Sequence, residues 1–154
     1  MKGVASRTWI LTGSPENLAA TREHGFSVIG LKEKRLGFAK QIAVGDRIVF
    51  YVTRVMAFGG AVRVTGELFE DRTRVWPGKP GNADPYPWRF ATEPELVLDE
   101  PDWVPAEDLA PALEHAAKWP PEHWRLAFQG QIRAVSEHDA RLLMDRMGAI
   151  ASTA

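Results

Sequence analysis

The 154-residue chain has no cysteine, which rules out disulfides, thiol nucleophiles and thiolate metal sites and is compatible with a reducing compartment. It also has no excess of either charge. Its 19 Lys plus Arg face 20 Asp plus Glu, a formal net charge of −1, so it lacks the broad basic field of a sequence-blind nucleic-acid binder. Any contact with a polynucleotide must be local. No stretch approaches the ~20 apolar residues of a membrane span, and Met1–Arg7 has no apolar signal-peptide core. A cytoplasmic protein with no membrane partner is the expectation. The histidines His24, His115, His123 and His138 show no short paired spacing of the zinc-site kind, so neither a metal nor another cofactor is expected. No nucleophile elbow, phosphate-binding loop or dinucleotide fingerprint follows a strand. Glu70-Asp71 and Glu107-Asp108 read as solvated decoration, and no catalytic residue is nominated.

What the chain does have is six tryptophans, within a length suited to one ordinary domain. Thr8-Trp9-Ile10-Leu11-Thr12 is β-branched and aromatic and reads as a short buried strand. Ser14-Pro15-Glu16 opens a helix that His24-Gly25 closes: Ser14 can accept a first-turn amide, and Pro15 wastes no donor there. Phe26 to Leu31 reads as a second strand and Arg35 to Ile42 as a short helix. From Arg47 both faces are apolar, with Ile48, Phe50 and Val52 on one and Val49 and Tyr51 on the other, so this strand should be central. Phe58-Gly59-Gly60 is expected to turn the chain into a half-buried strand through Leu68, completing a hairpin.

Glycine, proline, asparagine and aspartate then leave an irregular loop between Trp76 and Tyr86, of a length that often carries function. A strand resumes around Trp88, with a bend or bulge at Pro94. The last third is helical. Pro105 to Leu109 starts one helix, and Ser136-Glu137-His138-Asp139 caps a final one carrying Ala140, Leu143 and Met147 on one face. A frayed end is expected from Gly148. Strands followed by helices in this order give an α+β fold around a small barrel of five to six mixed strands.

Flat π-faces on rigid backbone suit a planar ring, so a nucleobase is the leading ligand. Trp9, on a buried strand, reads as core, and Trp103, Trp119 and Trp124 pin the helical part to the barrel. Trp76, beside Arg74 and Pro77-Gly78, has little else to pack on and is expected to line a slot without contributing to stability. Tyr86 and Trp88 suit a pocket wall or a barrel interior equally. Lys32, Lys34 and Arg35, with Arg54 and Arg74, could supply a few phosphate contacts beside an aromatic pocket.

The ordered series Thr8-Trp9-Ile10-Leu11, Gly13-Ser14-Pro15-Glu16, Gly25-Phe26, Val44-Gly45-Asp46-Arg47-Ile48-Val49-Phe50-Tyr51, Val64-Thr65-Gly66-Glu67 and Tyr86-Pro87-Trp88-Arg89-Phe90 resembles that of EVE-domain proteins. The resemblance spans about Thr8 to Met147. It implies a PUA-like β-barrel flanked by helices, similar to the YTH domains that read a methylated adenine. It further implies a reader of modified bases in DNA or RNA with no enzymatic activity. Carried over, one pocket wall falls on Thr12, Gly13 and Ser14 and a second on Phe26, Ser27 and Val28. Ser27 stands where YTH readers place a stacking tryptophan, a departure that Tyr86 or Trp88 could offset beside Trp76. Three other readings remain open: a sensor of free nucleobases or nucleosides, a hydrolase of modified nucleotides, and a protein-interaction module.

Overall fold

The computed structural model describes residues 6–78, 81 and 83–153. Eight strands among them form one curled sheet, with a path β2-β6-β4-β3-β1-β8. These are β1 (Thr8–Gly13), β2 (Val28–Leu31), β3 (Arg47–Val52), β4 (Ala57–Val64), β6 (Trp88–Val97) and β8 (Ile132–Val135), with β5 (Phe69–Glu70) and β7 (Val104–Pro105) as short additions on β6 and β4. The β1–β3 pair is parallel, and every other pair is antiparallel. The sheet is therefore mixed, as expected, and β3 lies inside it between β1 and β4.

Alternation explains the two cores. Trp9, Leu11, Ile48, Phe50, Val62 and Phe90 turn into the barrel, where Leu18 of α1 (Pro15–Glu23) and Ala39 of α2 (Leu36–Ala39) meet them. Ile10, Val49, Tyr51 and Ala61 point the other way, onto α3 (Ala106–Leu109), the 3-10 turns beyond it and Leu143 and Met147 of α4 (Glu137–Thr153). Trp103, Trp119 and Trp124 pack at the edge of this second core. Trp9 is 1% exposed, and its indole N–H bonds Asp46 Oδ2 at 3.0 Å. The Asp46 carboxylate also receives the Arg7 and Ala43 amides, so the turn at Gly45-Asp46 is tied to β1.

Several local expectations shift. The turn between β3 and β4 is Thr53 to Met56, with Arg54 and Met56 at positive φ. Phe58-Gly59-Gly60 lies inside β4 instead. Gly60 has φ +147°, and a Cβ there would fall 2.6 Å from the Leu96 carbonyl oxygen, so the glycine serves a close approach of two strands. β2 begins only at Val28, because Phe26 adopts φ +55° at the exit from α1. The anticipated bulge is present, with Ala61 opposite Leu96 but Val62 opposite Pro94. The helix α4 does not give out at Gly148 and continues to Thr153. No helix among the described residues is long and apolar enough to cross a membrane.

His115 is buried where the helical part meets Phe128, and its Nε2 donates to the Ala127 carbonyl at 2.6 Å. Burial is the largest influence on its pKa and holds it below the ordinary 6.5. The unfolded chain then takes up this proton more readily than the folded one. The stability His115 contributes is complete above pH 6.5 and is lost as the pH falls below that value. Thermal midpoints should therefore drop between pH about 7.5 and about 5.5, and the His115→Gln variant should flatten that segment. An equal drop in the variant would assign the effect to other groups.

Candidate functional site

A narrow cleft opens where the C-terminal end of β1, the start of α1 and the end of β2 converge. Thr12, Gly13 and Ser14 form one wall and Ile29 and Gly30 a second, while Trp76 and Tyr86 close it from the long loop. Asn17 and Thr21 line it from α1, Tyr51 from β3, and Gln131 from the residue before β8. The inner cavity is about 40 Å³, room for about three waters. It leads into a vestibule of about 610 Å³ that adds Lys32, Arg35 and Pro77, and Glu16, whose carboxylate is paired with Arg54.

The loop wall is held by a buried ion pair. Asp84 Oδ2 receives the Val75 and Trp76 amides and Oδ1 the Tyr86 amide, each at 2.8 Å. Arg89, 1% exposed, lies 3.6 Å from Asp84 and donates to the Thr73 and Tyr86 carbonyls. Its guanidinium stands 5.1 Å from the centre of the Trp76 ring. Trp76 is itself 4% exposed, and its indole N–H bonds Thr21 Oγ1 at 2.9 Å. The ring fits because β2 carries a glycine opposite it: a Cβ on Gly30 would sit 2.7 Å from Trp76 and 2.8 Å from Tyr86. Trp76 is thus both pocket wall and core, contrary to the expectation that it is dispensable for stability. Its plane is inclined 76° to that of Tyr86, so the two rings make a corner and not a sandwich. The Tyr86 hydroxyl accepts from Asn17 Nδ2 at 2.9 Å.

Of the residues expected to bind a base, Thr12, Gly13, Ser14, Trp76 and Tyr86 meet at the cleft. The Gly13 and Ser14 carbonyls, however, already accept the Thr53 and Leu18 amides. Phe26, Ser27, Val28 and Trp88 lie elsewhere. The Phe26 ring turns into the barrel, 6.0 Å from Phe50. Ser27 is exposed and donates its hydroxyl to the His24 carbonyl at the end of α1. Val28 pairs with Ala91, one strand position before the lining begins. Trp88 is half-buried, with its indole N–H on the Glu33 carbonyl and Arg72 over its ring. Among the expected phosphate contacts, Lys32 and Arg35 line the vestibule. Lys34 is exposed away from it, Arg54 is paired with Glu16, and Arg74 donates to the Trp76 carbonyl inside the loop.

Asn17, Thr21 and Gln131 were not anticipated. The first two had a signal, since Ser14, Asn17 and Thr21 recur at helical spacing on one face of α1. Gln131 had none. Among the described residues no Asp, Glu, His, Lys or Arg lines the inner cleft, and burial pushes the Tyr51 hydroxyl up to about 12. The wall formed by the described residues is electrically neutral and presents no group that could exchange a proton near neutral pH. Elsewhere, Glu114, His138 and Asp139 bring ligand-type atoms together. The buried Asp139 carboxylate there accepts the Glu114 and His115 amides, which is capping of a chain turn.

The sequence model of the EVE domain matches residues 7–146. The chain belongs to the EVE domain family. No curated protein matches the sequence significantly. Solved structures similar to this EVE domain include the Mmi1 YTH domain, at 12% identity and TM-score 0.65 over 96% of this chain and 91% of that one. The YTH domain of Zygosaccharomyces rouxii MRB1, in complex with N6-methyladenosine RNA, is similar at 17% identity and TM-score 0.64, covering 92% and 86%. Human THYN1, in complex with 5-methylcytosine-containing DNA, is similar at 13% identity and TM-score 0.61, covering 92% and 98%. The shared architecture is α+β with a PUA-like barrel flanked by helices.

Proposed function

We propose that this EVE domain is a non-catalytic module that captures a nucleobase, in particular a modified one, from DNA or RNA at the neck between the cleft and the vestibule. The observation that carries this reading is the neutral, proton-inert cleft, walled by Trp76 and Tyr86, that opens onto the cations Lys32 and Arg35. A neutral ring suits the first compartment and its phosphates the second. The nucleic acids bound by the similar MRB1 and THYN1 structures support the same reading.

The inner cavity is too tight for a base ring as it stands. The ring therefore rests at the neck, among the residues Tyr86 and Gln131 that line both compartments, and only a small substituent reaches inward. Stacking contributes about 1–3 kcal/mol per base, while unstacking costs a few kcal/mol, so a single-stranded or loosened base is favoured. A methyl group buried against the wall adds about 0.8 kcal/mol. A panel of oligonucleotides carrying methylated and unmodified cytosine and adenine, titrated at two salt concentrations, tests this. At least one modified member should bind more tightly than its parent and shift the tryptophan emission. Its preference over the parent should survive high salt, whereas the shared phosphate attraction should not. A panel in which no member alters the emission or binds would end the base-reading proposal. Binding of the free nucleoside as tight as that of the oligonucleotide would favour a small-molecule sensor.

A further inference from the structure

Gln131 joins three parts of the site. Its carbonyl accepts the Thr12 amide from β1 at 2.8 Å, and its side-chain Oε1 accepts the Lys32 amide, just past β2, at 2.8 Å. It therefore straps together two strands that do not pair with each other, at the point where the curled sheet stays open. This bond also fixes the orientation of the side-chain amide. A backbone N–H can only donate, so the atom facing Lys32 must be the oxygen, and the Nε2 amino group lies on the other branch of the same plane.

No acceptor among the described residues meets Nε2. Nor is it sealed: among the described residues the one enclosed side-chain polar atom without a partner is Arg35 Nε. Gln131 is 7% exposed and lines both the cleft and the vestibule, so its amino group opens onto the space between them. Here is a rigidly held, nearly buried donor with no partner of its own, and it is neutral. Lys32 and Arg35 line the vestibule but not the inner cleft, so phosphate oxygens fall to them.

We infer that Gln131 is a specificity-determining residue, whose amino group donates to a hydrogen-bond acceptor, a carbonyl oxygen or ring nitrogen, on the edge of the captured base. This rests on the base-binding reading and refines it. A base with a C–H or an N–H at that point leaves the donor unsatisfied or meets it head-on, which the tight neck makes costly.

The test is a double-mutant cycle between protein and ligand. Gln131→Glu keeps the side-chain shape and an oxygen for the Lys32 amide but removes the donor. The probes are single-stranded DNAs and RNAs carrying one 5-methylcytosine or one N6-methyladenine, with analogues in which each ring nitrogen becomes C–H or the carbonyl becomes thiocarbonyl. The wild type should lose about tenfold or more in affinity on one analogue. Gln131→Glu should bind the parent more weakly by a similar factor and lose nothing further on that analogue. Comparison with an abasic strand removes the contribution of the new charge, which acts on every strand alike and fades with salt. Equal losses on every analogue in both proteins, or an unchanged Gln131→Glu, would overturn the Gln131 assignment while leaving base capture standing. If no strand binds the wild type, both fall together.

Discussion

Asp84→Ala is expected to lower the unfolding free energy by about 3–5 kcal/mol, the cost of stranding a buried charge. The substitution removes a carboxylate that is fully enclosed and accepts three backbone amides, those of Val75, Trp76 and Tyr86. It also leaves the Arg89 guanidinium, whose side chain is 2% exposed, with Asp71 at 3.6 Å as its one remaining carboxylate among the described residues. For a domain of this length each kcal/mol is worth about 2–4 °C, so the thermal midpoint should fall by roughly 10 °C. Asp84→Asn, which keeps an acceptor but not the charge, should fall between. Calorimetry on the three proteins measures the effect. A loss below about 1 kcal/mol would mean that the loop is held independently of its buried ion pair.

Trp76→Ala should be comparably severe, at about 3–5 kcal/mol. The ring fills the space left by Gly30, meets Tyr86 edge to face, and spends its N–H on Thr21. Base binding should disappear as well, because the same ring is the cleft wall. Trp76→Phe separates the two roles. It retains most of the apolar filling and forfeits the indole bond, worth about 1 kcal/mol, so it should remain well folded with weakened binding. Chemical denaturation and titration of the same samples decide the matter. A Trp76→Ala variant as stable as the wild type would show that the ring is not part of the core.

Much of the fold was legible because its signals are local. Ser14 accepts the Asn17 amide as its position before Pro15 implied, and Asp139 N–H meets Ser136 Oγ at the start of α4. The two apolar faces of β3 correctly placed it inside the sheet. The site was harder. Thr12, Gly13 and Ser14 lie at a strand end followed by a helix start, which sequence order can locate. Phe26 was misassigned because one backbone torsion, φ +55°, turns its ring into the barrel, and no neighbouring residue announces it. Tyr86 and Trp88 share parity, but β6 begins only at Trp88, so alternation does not relate their directions. Gln131 owes its place to bonds with residues 119 and 99 positions away, Thr12 and Lys32, and nothing in its own segment marks it.

The pairing of β1 with β8 also constrains how the molecule comes into being. Thr8 lies opposite Val135, so most of the EVE domain separates two neighbours in the finished sheet. Closing so large a loop is slow, and topologies dominated by distant pairings reach the native state late. On the ribosome, β1 waits for its last partner until β8 has emerged. The neck of the cleft is made at that same closure, since Gln131 immediately precedes β8. Until Gln131 and β8 are in place, the Thr12 and Lys32 amides lack the partner that closes the neck.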